Sequence, residues 1–274
     1  MPEFLIESLD DPRLNPYREL KRKGARDARP VIAEGEKLVR RMLEGPCTVK
    51  SLLCTAAARD RLRAVTPPHV CVYLASAPLI SRLVGFRFHR GVLACGSRPA
   101  AVGIGSLCGK TTSERESLLV LCPELRDPTN LGTIIRTAVA FGARGLVAGA
   151  AGVDPYSRRV LRTSMGAVFR VPIVQTDDWG AVLDALHAAG FETVAAVVDP
   201  SSPPLAALPR LRRTAVLFGN EDRGLPAALA RRCTRQVMLP MAGGVDSLNV
   251  AVAAGIILHH FAQCSRVSPR PEPE

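Results

Sequence analysis

The sequence feature that most constrains the fold is a regular alternation of short apolar runs with longer amphipathic segments, which begins near residue 118. The short runs are typical of buried strands, and the longer segments carry apolar residues at helical spacing. Six strand-like runs follow one another, namely LLVLCPEL, LVAGA, VPIVQ, TVAAVVD, TAVLFGN and RQVMLPM. Strands that alternate with helices predict an α/β fold with a parallel sheet and helices on both faces.

Helices are predicted between these runs and after the last of them. The segments are LGTIIRTAVAFGARG, YSRRVLRTSMGAVF, WGAVLDALHAAG and SLNVAVAAGIILHHFAQC. In the first, Thr129 or Asn130 is expected to cap the helix, with Arg136 about two turns inside and held by apolar neighbours. Ser247 is expected to cap the last helix, whose nearly uniform apolar character is typical of a buried helix or a subunit contact.

The first hundred residues predict a second, smaller α/β unit. The segments EGEKLVRRMLEG and AAARDRLRAV have helical spacing, whereas CTVKSLLCT, VCVYLA and GVLACG are strand-like. Residues 99–117 are small and polar without a sustained period, so we interpret them as the crossing between domains. The chain is therefore divided into domains 1–106 and 107–274, and the proline-rich tail 266–274 is expected to be disordered.

Composition excludes several classes of protein. The chain has 274 residues, 47% of them hydrophobic, which excludes disorder over its whole length. No apolar run is long enough to cross a membrane, and the N-terminus is acidic where a signal or transit peptide would be basic. We therefore expect a cytoplasmic protein. Its eight cysteines form no C-x-x-C pair and are expected to be small buried residues of a reducing compartment.

The charge balance predicts a polyanionic partner. Lys and Arg outnumber Asp and Glu by 36 to 25, a formal net charge of +11, and nucleic acid is the commonest cytoplasmic polyanion. Residues 21–41 contain eight basic and three acidic residues, whereas residues 1–20 contain two and five. The segment 21–41 is thus a candidate phosphate-facing strip, although a merely basic surface would have the same composition.

Three motifs that could carry chemistry follow predicted strands, where ligands of parallel sheets bind. Asn130-Leu131-Gly132 precedes Arg136, a cation suited to a phosphate or an activated hydroxyl, although a helix arginine can also cap a neighbouring carbonyl. The second motif, LFGNEDRGLP, contains Gly219 for close backbone approach and Glu221 as an acceptor. The third, MLPMAGGVDSLN, ends in Ser247 and Asn249. Capping and turn formation explain the second and third motifs about as well as a ligand does.

Other well-known sites are missing from the sequence. It contains neither G-x-G-x-x-G after the first strand, nor G-x-x-x-x-G-K-[ST], nor H-E-x-x-H. A nicotinamide-dependent oxidoreductase therefore has little support. The histidines do not cluster and the cysteines have no histidine partner at metal spacing, so no metal site is expected.

Taken together, the segments NLGTIIRTAVAFGARGL, LFGNEDRGLP and MLPMAGGVDSLNVAVAAGI resemble, in order and spacing, the three motifs of the SpoU/TrmH family of SPOUT RNA methyltransferases. The resemblance covers about residues 117–264. Upstream, Arg26 with Ala33-Glu34-Gly35 and then His89-Arg90-Gly91 resemble the N-terminal substrate-binding domain of many members, in which glutamine commonly stands at the position of Arg90.

The resemblance implies a ribose 2′-O-methyltransferase that uses S-adenosylmethionine and forms a homodimer, with a trefoil knot in its C-terminal half. Knots are nearly absent from other proteins. The implied catalytic residues are Asn130, Arg136, Glu221, Ser247 and Asn249. The implied cofactor-binding residues are Gly219, Asn220, Leu239, Met241 and Leu248. RNA binding is expected at Arg22, Arg26, His89 and Arg90.

The chemistry can be argued from these residue types. Methyl transfer from a sulfonium requires a positioned ribose hydroxyl, loss of its proton and a fixed donor. A guanidinium is a poor base, so we favour Arg136 as a cation that binds the adjacent phosphate and lowers the pKa of the hydroxyl, with direct deprotonation as the alternative. Ribosomal RNA of the large subunit is the favoured substrate. Transfer RNA, methylation of a base and a non-catalytic RNA-binding protein remain alternatives.

Overall fold

The computed structural model describes residues 1–18, 30–85, 88, 91–109, 116–209 and 211–262, and the structural statements below concern these residues. They form two compact units. The first comprises Met1–Ala101 and Asp154–Arg170, and the second comprises Val102–Val153 and Val171–Glu274. The predicted boundary between residues 106 and 107 stays a prediction.

The first unit contains a five-stranded mixed sheet. Its strands are β1 (Glu3–Leu5), β2 (Val31–Glu34), β3 (Thr48–Cys54), β4 (Cys71–Leu74) and β5 (Val92–Ser97). They lie in the order β1-β4-β3-β5-β2. Strand β4 pairs in parallel with β1 and β3, while β5 pairs antiparallel to β3 and β2. Its helices are α1 (Asn15–Arg18), α2 (Glu36–Leu43), α3 (Ala56–Leu62) and α4 (Ala77–Val84).

The segment Asp154–Arg170 belongs to this first unit, although it lies between strands of the second along the chain. Its helix α7 (Arg158–Thr163) packs against β2. Arg98 holds the start of the segment, because its Nη1 and Nη2 donate to the two carboxylate oxygens of Asp154 at 2.8 and 2.7 Å. Both side chains of this pair are only 13–14% exposed.

The second unit is built on a six-stranded sheet that is parallel throughout, as the alternating pattern predicts. Its strands are β6 (Ser117–Cys122), β7 (Gly145–Gly149), β8 (Ile173–Thr176), β9 (Glu192–Ala196), β10 (Arg213–Leu217) and β11 (Arg235–Val237). They lie in the order β11-β9-β10-β6-β7-β8 and all pair in parallel. The α/β fold predicted for this half of the chain is thus confirmed.

Helices cover this sheet. They are α5 (Ile104–Cys108), α6 (Pro128–Ala140), α8 (Trp179–Ala188), α9 (Ala227–Arg232) and α10 (Val250–Phe261). Alternate strand residues such as Leu119 and Leu121 form a core with α5, α8 and α9. The intervening Leu118 and Val120 point to the opposite face and are also buried. Helices α6 and α10 pack against each other.

Several local predictions are wrong in detail. Residues 156–169 form no single helix, because α7 ends before Met165 and Gly166, whose φ angles of 52° and 78° break the helical geometry, and only a 3-10 turn follows at Ala167–Arg170. The predicted crossing 99–117 contains the short helix α5. The tail 266–274 lies outside the described residues. None of the described helices is long and apolar enough to cross a membrane.

Candidate active site

A cavity of about 700 Å³ opens in the second unit where β9, β10 and β11 end. Parallel strands bring their carboxyl ends to one edge, and this is where ligands of open α/β sheets bind. Four stretches of chain contribute to its wall: Ala196–Asp199, Phe218–Leu225, the region Val237–Met241, and Asp246–Ile257 at the start of α10. The cavity is within the size range of small-molecule sites.

Three polar side chains from three separate motifs meet beside this cavity. The Nδ2 of Asn130 donates to Oε1 of Glu221 at 2.9 Å. The Nδ2 of Asn249 donates to Oδ1 of Asn130 at 3.0 Å. Asn130 is only 7% exposed, so both polar ends of its amide are satisfied inside the protein. The structure therefore brings together Asn130, Glu221 and Asn249, as the sequence motifs suggest.

Glu221 also binds the loop that precedes α6. Its carboxylate accepts hydrogen bonds from the backbone N–H groups of Asp127 at 3.1 Å and Arg126 at 3.3 Å. Burial raises the pKa of the Glu221 carboxyl, but the hydrogen bonds from Asn130 and from backbone N–H groups outweigh burial and hold this pKa below its usual value. Glu221 is therefore a carboxylate at neutral pH and acts as an acceptor.

Asn220 shapes the loop rather than pointing into open solvent. Its Nδ2 donates to the Glu124 carbonyl at 2.9 Å, and its Oδ1 accepts from the N–H groups of Asp222 and Arg223. Its backbone exchanges two hydrogen bonds with Gly224. These bonds close a tight turn at the mouth of the cavity.

The structure gives a different reason for a glycine at position 219 from the close approach to a ligand that the sequence suggests. A Cβ atom there would lie 2.2 Å from the carbonyl carbon of Gly224 and 2.3 Å from the nitrogen of Leu225. The close approach is thus made by the protein's own backbone across the turn. Gly219 nevertheless lines the cavity, and so do Asn220, Leu239, Met241 and Leu248, the other residues expected to bind a cofactor.

The capping predictions for both helices are wrong. Asp127 caps α6, with its side chain accepting from the N–H of Thr129, because Pro128 stands at the first helical position. Asn249, and not Ser247, caps α10, since its Oδ1 accepts from the N–H groups of Ala251 and Val252. Ser247 is exposed and lines the cavity. The Oδ1 of Asn249 therefore caps α10, while its Nδ2 donates to Asn130.

Arg136 does not join this group within one chain. It lies two turns inside α6, as expected, but it is exposed, whereas the sequence predicted that apolar neighbours would hold it. It follows Asn130 by six positions, which places it on a different side of the helix. Among the described residues it makes no hydrogen bond to Glu221, Ser247 or Asn249 and does not line the cavity.

The cavity also contains charged residues that sequence reasoning missed. Asp199 and Arg223 line it together with Asp246. Asp199 could have been found, because it is the last residue of the strand-like run TVAAVVD, at the carboxyl end where the other candidate residues also lie. Arg223 lies within the second motif, but the amino-acid sequence of this motif alone does not distinguish a ligand contact from a turn residue.

The residues predicted to bind RNA, Arg22, Arg26, His89 and Arg90, all lie outside the described residues.

Among the described residues, no group of three or more His, Cys, Asp or Glu side chains could hold a metal ion. Seven of the eight cysteines are described and are free thiols, five of them buried.

Comparison with known proteins gives matches over most of the chain. Residues 117–259 match the model of the SpoU rRNA Methylase family. An uncharacterized tRNA/rRNA methyltransferase of Mycobacterium tuberculosis is 34% identical over 91% of this chain and 88% of its own length. The 23S rRNA (guanosine(2553)-2′-O)-methyltransferase RlmP of Bacillus subtilis is 28% identical over 93% of this chain and 98% of its own.

A solved structure is similar over nearly the whole chain. The AdoMet-bound rRNA methyltransferase from Sinorhizobium meliloti superimposes with a TM-score of 0.82 at 30% sequence identity. The match covers 94% of this chain and 97% of that one. The similarity thus includes both compact units.

Proposed function

Since the chain belongs to the SpoU rRNA methylase family, we propose that it transfers the methyl group of S-adenosylmethionine to a ribose 2′-hydroxyl of large-subunit ribosomal RNA. The observation that carries the proposal is the hydrogen-bonded group of Asn130, Glu221 and Asn249 at the edge of the cavity. The position of the methyl group on ribose and the choice of ribosomal RNA are supported by the similarity to RlmP.

The cavity fits the methyl donor. Its apolar part includes Leu239, Leu248 and Ile257, which suit an adenine ring, and the backbone around Gly219 supplies polar groups beside them. Glu221, Ser247 and Asn249 lie on the same cavity wall and define its polar part. When bound, S-adenosylmethionine supplies an electrophilic methyl group on a sulfonium with a good leaving group.

The chain's own residues position the acceptor. The Glu221 carboxylate, held by Asn130 and by two backbone N–H groups, offers oxygen lone pairs at a fixed place. The Ser247 hydroxyl is exposed on the cavity wall and can exchange a hydrogen bond with the ribose. Such fixed groups accelerate displacement mainly by orientation, which can supply several kcal/mol of the barrier, about 7–11 at most.

Arg136 has the role of a cation for the phosphate next to the reacting ribose. Bound there, its charge would favour the ionised form of the 2′-hydroxyl and so lower its pKa. Its exposure leaves the guanidinium accessible to RNA or to a second subunit. This role needs no proton transfer to or from the arginine itself.

The homodimer belongs to the same proposal. Leu248 lies two residues before α10, and Val252 and Ile256, which are four residues apart, share one side of the helix. They are 39%, 53% and 45% exposed, which is unusual for large apolar side chains in a row. A second copy would cover this stripe, and Leu248 connects it to the cavity wall.

The trefoil knot and the assignment of a separate function to each domain also stay proposals. The loops that follow β9, β10 and β11 all converge on one cavity, which is compatible with a knotted chain in this half. We assign catalysis to domain 107–274 and RNA binding to domain 1–106. A crystal structure with a continuous chain trace through residues 196–257 tests the knot.

The deciding experiment is transfer of labelled methyl from S-adenosylmethionine to unmodified 23S ribosomal and transfer RNA transcripts, with digestion to nucleosides and mass analysis. A 2′-O-methyl nucleoside from the 23S transcript is expected. Label in transfer RNA alone would refute ribosomal RNA as the substrate. Label on a base would refute methylation of the ribose. Donor binding without transfer to either RNA would favour a non-catalytic RNA-binding protein.

Arg136 is tested in the same assay. Arg136→Ala is expected to lower kcat/KM by roughly 100-fold, because it removes a charge that stabilises the transition state, with donor affinity unchanged. Arg231→Ala, which removes an exposed arginine of α9 in the same unit, is the matched control. Full methylation by Arg136→Ala would refute both roles considered for this residue.

A further inference from the structure

A second cleft, of about 590 Å³, lies within the first unit. One wall is the stretch Glu34–Leu38, where β2 ends and α2 begins, and the other is formed by residues of α7 and its end, Arg159, Arg162, Thr163 and Met165. The site residues discussed above have no part in it.

The sequence of α7, RRVLRT, explains why this wall is basic. Val160 and Leu161 are fully buried and fix the helix on the unit. Arg159 and Arg162 are three positions apart, so they lie on the same side of the helix, and both are exposed. Lys37 is exposed on the opposite wall. Three cationic side chains therefore face one concave surface.

The two acidic residues of the cleft pair with arginines that do not line it. Glu34, only 5% exposed, pairs with Arg158 at 3.0 Å. Glu36 accepts from Arg61 at 2.8 Å and from Arg40 at 3.0 Å, and these hydrogen bonds hold the pKa of the Glu36 carboxyl below its usual value. Both carboxylates thus have arginine partners that do not themselves line the cleft.

The backbone adds to the positive potential. Helix α2 begins after Gly35, which has no side chain to cap it, so the N–H groups of its first turn are not satisfied by a capping side chain. These groups carry the positive end of the helix dipole. The cleft residues include no aromatic side chain on which a base could stack.

We propose that this cleft binds the phosphodiester backbone of the substrate RNA, an inference that rests on the proposed function. Lys and Arg contacts to phosphates fix the position of a nucleic acid without reading its sequence. A concave, basic surface without aromatic residues suits that role. The cleft therefore supplies affinity for RNA and takes no part in the methyl transfer itself.

The test is RNA binding by the full chain carrying Lys37→Gln or Arg162→Gln, measured by fluorescence anisotropy with a 23S ribosomal RNA transcript over a range of KCl concentrations. Each variant is expected to bind about 3- to 10-fold more weakly, and the slope of log affinity against log salt is expected to fall by about 0.7–0.9 for each lost phosphate contact. The kcat at saturating RNA and the affinity for S-adenosylmethionine are expected to stay unchanged.

The controls separate a phosphate contact from a general loss of charge or of folding. Arg82→Gln removes one exposed positive charge from α4 of the same unit, outside the cleft, and should leave both the affinity and the salt slope unaltered. Arg162→Lys keeps the charge and should retain most of the affinity. Thermal unfolding of each variant checks that the unit is intact.

The outcomes distinguish this inference from the proposed function. If the wild type methylates ribose but the cleft variants bind RNA as the Arg82→Gln control does, the inference fails alone. If the variants lose RNA affinity while the wild type transfers no methyl group, RNA binding by the cleft is supported and the proposed function is refuted. Equal loss in Arg82→Gln, or a wild type that does not bind the transcript, would overturn the inference.

Discussion

The carboxylate of Glu221 lies 2.9 Å from the side-chain amide of Asn130, although the two residues are 91 positions apart in the sequence. The same amide accepts a hydrogen bond from Asn249, 119 positions away. Asn130 can serve both partners because an amide has a donor end and an acceptor end. A carboxylate or a hydrocarbon at this position would leave at least one partner unpaired.

Asn130→Asp should therefore damage both folding and activity. It replaces the N–H donor with an oxygen facing the Glu221 carboxylate, so we expect the free energy of unfolding to fall by about 1–3 kcal/mol. The kcat for methyl transfer should fall by about tenfold or more, equivalent to about 1.4 kcal/mol of barrier. Urea unfolding and single-turnover kinetics measure the two effects. Asn15→Asp, the same chemical change at an exposed position of α1, should alter neither.

The stability contributed by Glu221 should depend on pH in one direction. Its pKa is lower in the folded chain than the unfolded value of about 4.3. The folded state thus binds the proton less tightly, and this contribution is complete above about pH 5 and lost as the pH falls through the folded pKa. Glu221→Gln lacks the ionisation, so the stability difference from the wild type should shrink below about pH 4. A difference that grows on acidification would contradict the assignment.

Gly219→Ala should disrupt the turn after β10. The added Cβ would collide with the backbone of Gly224 and Leu225, and such overpacking costs about 1–3 kcal/mol of stability. Because this turn forms part of the cavity wall, affinity for S-adenosylmethionine in calorimetry should fall with it. Gly105→Ala is the matched control, since a Cβ there meets open space within α5 and should stabilise by about 0.5–1 kcal/mol. Donor affinity unchanged in Gly219→Ala would remove the turn from the donor site.

Ile256→Glu should prevent self-association. A charge at the C-terminal end of the exposed apolar stripe Leu248, Val252 and Ile256 would be desolvated by a second copy, which is costly for an unpaired carboxylate. Light scattering coupled to gel filtration should give half the mass of the wild type. Leu5→Glu places the same charge on another exposed apolar residue, 66% exposed on β1, and should leave the mass unchanged. A dimer that persists in Ile256→Glu would place the interface elsewhere.

The strands and most helices of the second unit could be predicted because their patterns are local. An apolar run such as LLVLC needs only its own residues to be identified as a buried strand, and β6 forms there. The break after Thr163 was missed, although Gly166 marks it, because the apolar pattern continues through Val168 and Phe169. Local periodicity does not reveal a change in backbone conformation.

The composition of the cavity wall could be predicted better than the partners within it. Because ligands bind at the carboxyl ends of parallel strands, the amino-acid sequence alone places Gly219, Glu221 and Leu239 at one edge of the sheet. The hydrogen bonds of Asn130 could not be predicted, because they depend on how α6, the loop after β10 and the start of α10 are packed. The caps were wrong for a related reason: Asp127, Thr129 and Asn130 are all good capping residues, and the adjacent Pro128 decides among them.

Because Asp154–Arg170 belongs to the first unit, the chain cannot be divided into its two units at a single point. A fragment that stops at Ala101 would lack α7, so Arg98 would lose Asp154 and the buried Glu34 would lose Arg158. The complementary fragment would carry Val160 and Leu161, two apolar residues with nothing to cover them. Recombination at a single breakpoint therefore cannot exchange the first unit for another without leaving part of it behind.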